Sequence, residues 1–354
     1  GTLFPYTTLF RSALFAICTR GLEAICLQEI DALDGCEVQH SEYRRVRFTC
    51  DAEHLPGLFQ LRTVDDVFFH LADWNGIYHT RVALTRLTAL SQQLRIHPLL
   101  PYYPQFGRDL PAAPVFSVTA NFVGRRKYST PEIKQAIANG IQERYHWQYS
   151  ERFDTSDLNI RLFLEHERAV VGLRLRETPL HRRPYKQEHL PGSLKPTVAA
   201  ALCVLGKVQP GQTVVDPFCG AGTILTEAAG MDADIIGGDH NPDAVLAAQQ
   251  NLQAAGVRGE IHEWDAQQLP LADDSVDVIL SNPPWGSQVA VSDLDTLYSN
   301  ACTEMRRVLK PGGRIVLLTE VTFSQKKYFG DRNPEVQFEI SVFGRNPVIT
   351  VWQF

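Results

Sequence analysis

The chain has 354 residues, of which 44% are hydrophobic, 10% aromatic and 21% charged. These values exclude the disordered, collagen-like and coiled-coil classes, and the length corresponds to two or three domains. The net charge of −6 is uneven, because residues 1–190 carry +2 and residues 191–354 carry −8. Such an asymmetry is typical of a part that faces nucleic acid joined to a separate part, although two ordinary domains with different surfaces would also produce it.

Cysteine usage and hydropathy restrict the cellular setting. The seven cysteines include no CxxC pair, and no Cys/His spacing resembles a zinc site, so the sequence predicts no bound metal. An odd number of cysteines without such pairs is typical of a reducing compartment and predicts a cytoplasmic protein. No run approaches the roughly 18 apolar residues of a membrane span, which predicts that the protein does not enter a membrane.

The first twelve residues differ from the rest of the chain. The sequence begins with Gly1 and, from Thr2 to Ser12, resembles the conceptual translation of a sequencing adapter. We expect residues 1–12 to lie outside the fold and to have no defined packing partner. A native extended segment is the alternative.

Residues 13–180 show the mixture of strands and helices that is typical of α+β domains. The predicted strands are 13–19, 46–50, 115–122, 158–166 and 169–176. The predicted helices are 22–30, 55–59, 63–71, a part of 79–96 and 130–145. Ser129 or Thr130 can cap the last of these helices, and Pro131 fits its first turn. Residues 97–114 contain five prolines and are predicted to form an irregular loop.

From Gly192 onward strands and helices alternate. This order predicts a doubly wound parallel α/β sheet with an antiparallel pair of strands at its end. The predicted strands are 214–216, 234–239, 260–264, 276–281, 314–319, 336–342 and 348–354. The predicted helices are 222–229, 242–255 and 294–309.

The turn after the first of these strands has the sequence Asp216-Pro217-Phe218-Cys219-Gly220-Ala221-Gly222-Thr223. Its two glycines allow a ligand to approach the backbone closely. The turn lacks the third glycine of GxGxxG and the GK[ST] of a P-loop, so it does not indicate a bound pyrophosphate.

Aspartates end three neighbouring strands. Asp216 can meet a cation, Asp239 can accept hydrogen bonds from two ribose hydroxyls, and Asp265 can accept one from an adenine amino group. Each aspartate alone could be a helix cap or a solvated turn. Together they predict a site for S-adenosylmethionine, which is positively charged. The other candidate cofactor-binding residues are Phe218, Cys219, Gly220, Gly222, Thr223, His240, Asn241 and Ala266.

The sequence Asn282-Pro283-Pro284-Trp285 follows the fourth strand and predicts a site that methylates a planar amino group. The Asn282 side-chain oxygen and the Pro283 carbonyl can accept the two hydrogens of the amino group, which aims its nitrogen at the methyl donor. Proline removes competing backbone donors, and Trp285 can stack on an extruded base. The structural alternative is a Pro-Pro turn that leaves the sheet, with Trp285 in a small core.

Two basic runs are candidates for phosphate contacts, because Lys and Arg supply most of the non-specific affinity for nucleic acid. Solvated surfaces would give the same pattern. The candidate RNA-binding residues are Arg125, Arg126, Lys127, His181, Arg182, Arg183, Tyr185 and Lys186.

Residues 216–223 and 282–285, with Asp239 and Asp265, together resemble the class I S-adenosylmethionine-dependent methyltransferases that act on adenine N6, guanine N2 or glutamine N5. The resemblance implies a Rossmann-like methyltransferase domain over 181–354. Asn-Pro-Pro-Trp stands where Asn-Pro-Pro-Tyr is commoner in that group, which keeps an aromatic ring but loses a tyrosine hydroxyl.

Residues 13–180 resemble the N-terminal module of RNA-modifying enzymes, in which a ferredoxin-like domain (13–78) precedes a THUMP domain (79–180). The similar segments are 20–23, 61–64, 129–134 and 180–185, in the expected order. With this module the sequence is identified as a member of the THUMP-containing RNA guanine-N2 methyltransferases. Its size and domain order match best the enzymes that act on guanosine 6 of tRNA.

The resemblance implies methyl transfer from S-adenosylmethionine to N2 of a guanosine in tRNA, with the THUMP domain holding the 3′ CCA end. It also implies that the loop 192–197 closes over the methionine end of the cofactor through Ser193, Pro196 and Thr197, while a helix cap is the alternative for Ser193 or Thr197. A guanine of 23S ribosomal RNA, a DNA adenine or a protein glutamine as acceptor stays an alternative, as does an inactive RNA-binding protein. We expect a monomer.

Overall fold

The computed structural model describes residues 11–285, 294–320, 323 and 325–354. They form two compact units. The first unit comprises β1 (Arg11–Ile17) with Leu27–Leu61 and Asp66–Leu180. The second unit comprises Cys18–Cys26, Arg62–Asp65 and His181–Phe354. Among the described residues, no helix has the length and apolar character that crossing a membrane requires.

The first unit is built on a sheet of seven described strands, in the order β2-β3-β1-β4-β7-β6-β5. Beside β1, these are β2 (Cys36–Glu42), β3 (Arg45–Asp51), β4 (Asp66–Trp74), β5 (Phe116–Val123), β6 (Leu158–Glu165) and β7 (Arg168–Arg174). Only the β5–β6 pair among them is parallel. Because β4 pairs with β7, strands from both predicted N-terminal domains share one sheet. The boundary between these domains stays a prediction.

Three helices accompany these strands along residues 11–180 as described: α1 (Glu23–Asp31), α2 (Val82–Ser91) and α3 (Thr130–Tyr145). They confirm the predicted helices at 22–30, within 79–96 and from Ser129. Ser129 and Glu132 form a capping box, in which the Ser129 amide donates to Glu132 Oε2 at 2.8 Å. The proline-rich segment contains a 3₁₀ helix at His97–Phe106, where a loop was predicted, and residues 52–60 are also 3₁₀.

The strand β4 shows that the predicted helix at 63–71 is wrong. β4 lies between β1 and β7, and its consecutive residues Val67, Phe68 and Phe69 are all buried. A strand that is covered on both faces has a continuous run of apolar residues, and the periodicity of such a run does not distinguish it from a buried helix. The edge strand β2 escaped prediction for the opposite reason, because most of its residues are polar and exposed.

The expectation that residues 1–12 lack a packing partner is wrong for Arg11 and Ser12, which belong to β1. Ser12 pairs with Cys50 on β3 and is 7% exposed, and Arg11 Nε contacts Asp51 Oδ1 at 3.0 Å. Residues 1–10 lie outside the described residues.

The second unit contains the predicted doubly wound sheet, in the order β10-β9-β8-β11-β12-β14-β13. Its strands are β8 (Thr213–Asp216), β9 (Asp234–Asp239), β10 (Glu260–Glu263), β11 (Val276–Ser281), β12 (Leu309–Thr319), β13 (Val336–Glu339) and β14 (Val348–Gln353). Its helices are α4 (Pro196–Leu205), α5 (Thr223–Ala229), α6 (Pro242–Ala255), α7 (Leu294–Val308) and α8 (Gln325–Phe329). β14 runs antiparallel to β12 and β13, which confirms the predicted final pair.

The core of this sheet contains Ile279 of β11, Ile315 of β12 and Trp352 of β14, all fully buried, with Met305 of α7 packed among them. The strand order reverses between β8 and β11. In open α/β sheets, ligands bind outside the carboxyl ends of the strands at such a reversal. The topology therefore points to the ends of β8, β9 and β11 as the place for a site.

Candidate active site

A cavity of about 850 Å³ lies at the carboxyl ends of these strands. Its volume is in the range of sites for small molecules. The predicted site residues that line it are Ser193, Asp216, Phe218, Cys219, Gly220, Thr223, Asp239, His240, Asn241, Asp265, Ala266, Asn282, Pro283, Pro284 and Trp285. The fold thus brings the two predicted motifs and the three strand-end aspartates into one place.

The glycine turn after β8 has a backbone that other residues would strain. Gly220 and Gly222 have φ of +49° and +72°. A side chain on Gly222 would place its Cβ 3.0 Å from Cβ of Ala248 on α6, so α5 can approach α6 only with glycine there. Within the described chain, Gly222 is not part of the cavity lining. The contribution of Gly222 in the structure is to the turn and to helix packing, and its assignment as a cofactor contact stays a prediction.

Asp239 is fixed by backbone donors at the end of β9. The Gly220 amide donates to Oδ2 and the Asn241 amide to Oδ1, each at 3.0 Å. Each carboxylate oxygen can accept a further bond from a ligand. Asp265 is exposed and accepts from the Gln267 amide at 2.9 Å, as in a capped turn, and it also lines the cavity.

Asp216 is a buried carboxyl group at the end of β8, 1% exposed. Ser281 Oγ donates to its Oδ1 at 2.6 Å, and the Phe218 amide donates to the same atom at 3.1 Å. Burial raises the pKa of Asp216 to about 7, although both hydrogen bonds oppose the rise. A cation in the cavity would favour the ionised form, so this carboxyl group suits a positively charged ligand.

Three buried polar atoms around the cavity have no hydrogen-bond partner among the described residues: Asn282 Oδ1, Ser193 Oγ and Thr223 Oγ1. A buried polar atom without a partner is costly. The Asn282 side chain is nevertheless oriented, because its Nδ2 donates to the Gly192 carbonyl at 3.4 Å. Its oxygen is therefore a positioned acceptor for a donor that a ligand would bring.

Trp285, the residue predicted to stack on a base, is largely enclosed. It is 2% exposed, its Nε1 donates to the Leu318 carbonyl at 3.3 Å, and its ring lies edge-on to Phe343. Trp285 lines the cavity with little exposed surface, and its stacking role stays a prediction. The Pro284 carbonyl is also engaged, since the Tyr298 hydroxyl donates to it at 2.7 Å.

The loop before α4 lines the cavity, but Pro196 and Thr197, which were expected to contact the cofactor, lie outside the described lining. Leu190 to Leu194 line the cavity, whereas Pro196 begins α4 and lies outside the lining that the described residues form. The Thr197 hydroxyl donates to Asp65 Oδ1 at 2.7 Å. The N-cap of α4 is Lys195, so neither Ser193 nor Thr197 is its cap. The cofactor assignments of Pro196 and Thr197 stay predictions.

Four candidate RNA-binding residues of the second unit are engaged inside it. Tyr185 is buried and donates to Glu227 Oε1 at 2.7 Å. Arg183 contacts the same carboxylate at 3.4 Å, and Lys186 donates to the Leu194 carbonyl. The His181 Nδ1 atom contacts the Asp65 carbonyl at 3.2 Å. These contacts argue against phosphate binding by these four side chains.

Arg126, in the first unit, also has an internal role. It donates to the Ile77 carbonyl at 3.1 Å and to the Tyr128 hydroxyl at 2.8 Å. Arg125, Lys127 and Arg182 are exposed, so these three remain candidates for phosphate contacts. The sequence alone could not separate the exposed basic residues from the internally bonded ones, because a basic run has the same sequence whether its side chains point outward or inward.

Asn251 was not predicted from the sequence, and it holds two segments that line or adjoin the cavity. Asn251 is fully buried on α6. Its Nδ2 donates to the Ala221 carbonyl at 2.9 Å and its Oδ1 accepts from the Glu188 amide at 2.9 Å. It thereby ties the glycine turn to the segment before the 190–194 loop. A polar residue on an otherwise alanine-rich helix face is the one sequence signal for it.

Residues 183–345 match the family described as "RMKL-like, methyltransferase domain", and residues 13–65 match "RlmL ferredoxin-like domain". A tRNA (guanine(6)-N2)-methyltransferase of Thermus thermophilus is 31% identical, covering 84% of this chain and 86% of that relative. The chain belongs to the RNA guanine-N2 methyltransferase family.

Other relatives and a solved structure agree with this membership. The U6 snRNA (guanine-N(2))-methyltransferase THUMPD2 of Mus musculus is 34% identical, over 57% of this chain and 38% of that protein. The crystal structure of TrmN from Thermus thermophilus superposes with a TM-score of 0.76 at 27% identity, covering 97% of this chain and 99% of that one. The predicted family and fold class are confirmed. The assignment of residues 79–180 to a THUMP domain stays a prediction.

Proposed function

We propose that this methyltransferase transfers a methyl group from S-adenosylmethionine to the exocyclic N2 of a guanosine in tRNA, in the acceptor stem at position 6. The observation that carries the proposal is the buried Asn282 Oδ1, which is oriented at the cavity and has no donor among the described residues. A guanine amino group brings the donor that this oxygen lacks. The printed name of the Thermus relative supports the choice of tRNA and of nucleotide 6.

The cavity residues fit S-adenosylmethionine, which supplies an electrophilic methyl group. Asp239, fixed by two amides, accepts the ribose hydroxyls, and Asp265 at the next strand end accepts the adenine amino group. Asp216 offers a carboxylate to the positive end of the molecule. The buried hydroxyls of Ser193 and Thr223 gain partners when a polar ligand is bound.

The chain's own residues orient the guanine amino group. Asn282 Oδ1 accepts one of its hydrogens, and the Pro283 carbonyl accepts the other. Tyr298 holds the Pro284 carbonyl, which stiffens the turn that presents both acceptors. The nitrogen–carbon bond forms as the sulfur–carbon bond breaks, and the methylated nitrogen then loses a proton to water. No strong base is needed, so the rate comes from proximity and alignment.

We assign the RNA contacts to the exposed side chains of Arg125, Lys127 and Arg182. We also propose that the protein acts as a monomer in the cytoplasm, whose reducing conditions suit the unpaired thiols of all seven cysteines. Size-exclusion chromatography with light scattering tests the monomer.

The proposal is tested by incubating the protein with methyl-labelled S-adenosylmethionine and purified tRNA, ribosomal RNA or DNA. We expect label in tRNA alone, and nuclease digestion with mass spectrometry should identify N2-methylguanosine at position 6. Label in ribosomal RNA would move the function to that substrate, and label only in DNA, or none, would refute it. Asn282→Ala should abolish transfer while cofactor affinity persists, and the exposed Asn121→Ala serves as its matched control.

A further inference from the structure

The turn between Val342 and Arg345 has an unusual residue at its first central position. Val342 and Arg345 exchange backbone hydrogen bonds of 3.1 and 2.9 Å, and the two residues between them have positive φ, +53° for Phe343 and +73° for Gly344. These features define a two-residue type I′ turn. Such turns favour Asn, Asp or Gly at the first position, because a larger L-residue is strained at positive φ.

Burial does not compensate for this strain, because Phe343 is 46% exposed. The turn is also anchored without the ring, through the backbone pair and the ion pair of Arg345 with Glu320. An exposed aromatic side chain in an unfavourable backbone conformation has no evident benefit for folding. Strained residues of this kind cluster at functional sites.

The position of the ring indicates what it does. The centroid of Phe343 lies 6.1 Å from that of Trp285, with the two rings edge to face. Trp285 lines the cavity and directly follows Asn282-Pro283-Pro284, and it is 2% exposed. Phe343 therefore presents an exposed aromatic surface beside Trp285, the last residue of the motif that would hold the target amino group.

We propose that Phe343 stacks on the purine base whose amino group is held by Asn282. This inference rests on the function proposed above, and it names an exposed aromatic contact in addition to the buried Trp285. Stacking tolerates any base, so Phe343 would contribute to binding and alignment of the extruded base, and Asn282 would recognise its amino group.

The test uses Phe343→Asn in the full chain, because asparagine suits the first position of a type I′ turn. We expect an unchanged or higher Tm and an unchanged Kd for S-adenosylmethionine. We expect kcat/KM for tRNA to fall about ten-fold or more, the scale of a lost base–aromatic stack. Phe343→Tyr should keep at least half of the wild-type kcat/KM. Tyr43→Asn, which removes an aromatic ring of similar exposure from the β2–β3 turn, is the control.

Each outcome decides the proposal. An unchanged kcat/KM for Phe343→Asn, in a wild type that methylates tRNA, would overturn the stacking role alone. A marked fall in Tm or in cofactor affinity for Phe343→Asn would show instead that the ring supports the fold. If the wild type methylates no RNA, the proposed function and this inference fail together.

Discussion

The Thr197 hydroxyl donates a hydrogen bond of 2.7 Å to Asp65 Oδ1, although the two residues are 132 positions apart. Lys195 Nζ contacts the other oxygen of the same carboxylate at 3.2 Å. Asp65 belongs to the short segment Arg62–Asp65 that packs with the methyltransferase unit. The next residue, Asp66, instead pairs with Arg174 in the first unit at 2.8 Å. Two consecutive buried aspartates thus serve different units.

Replacing Asp65 should loosen the loop that lines the cavity. Asp65→Ala leaves the buried Thr197 hydroxyl without its acceptor, which costs about 1–3 kcal/mol of unfolding free energy. Because the loop 190–194 immediately precedes these residues, we also expect a higher Kd for S-adenosylmethionine, measured by calorimetry. The exposed Asp34→Ala should change neither quantity. Equal cofactor affinity in Asp65→Ala and wild type would contradict a positioning role for Asp65.

Glu227 is a buried carboxylate, and its replacement should be severely destabilising. It is 2% exposed on α5 and contacts Arg62 at 2.6 Å and Arg183 at 3.4 Å, and it accepts from Tyr185. Removing one partner of a buried ion pair costs about 3–5 kcal/mol. Urea unfolding of Glu227→Ala should show a loss of that size, whereas the exposed Glu151→Ala should stay within about 0.5 kcal/mol of wild type. A small loss for Glu227→Ala would mean that solvent already screens this cluster.

Asp216 should make stability depend on pH. Its pKa is about 7 in the folded protein and 3.8 in the ordinary reference state, so the folded protein binds more protons between these values. The free energy of unfolding should therefore fall as pH rises from about 4 to 7. Asp216→Asn, which stays neutral, should remove this part of the slope in urea titrations at several pH values. The same slope in the variant and the wild type would rule out Asp216 as its source.

Ionised Asp216 is the form that favours a cation, so affinity for S-adenosylmethionine should increase as pH rises through about 7. Affinity measured by calorimetry at pH 6 and pH 8 checks this direction. Asp216→Asn should bind the cofactor more weakly at pH 8 and show a smaller difference between the two pH values. A stronger affinity at pH 6 than at pH 8 would contradict the assignment.

Arg182 is the exposed arginine of the second basic run, and its replacement should weaken RNA binding without affecting the cofactor. Arg183 is excluded from this test because it contacts Glu227. For Arg182→Ala we expect the slope of log K against log salt to fall by about 1 in filter-binding measurements with tRNA. The exposed Arg258→Ala, which lies outside both basic runs, should keep the wild-type slope. An unaltered slope for Arg182→Ala would remove it from the RNA surface.

The methyltransferase half could be predicted closely because its signals are local. Asp216, Gly220 and Asp239 stand where a strand ends, and parallel strands end at the same edge of a sheet, so their meeting follows from the order of elements. The helix assigned to 63–71 failed because β4 is covered on both faces, a property of its neighbours in the sheet and not of its own sequence. The sequence placed Trp285 in the motif, but it could not show that the ring would be only 2% exposed.

By itself, the sequence determined the family, the fold class and the cluster of cavity residues. Only the tertiary structure decided which charged and aromatic side chains face inward. Arg183 and Tyr185 are held by Glu227, and Thr197 by Asp65, through contacts between distant positions. A motif is recognised from residues that are neighbours in the sequence, whereas burial and pairing depend on residues that only folding brings into contact. For this reason the sequence did not point to Phe343, whose exposed ring lies beside Trp285 only in the folded chain.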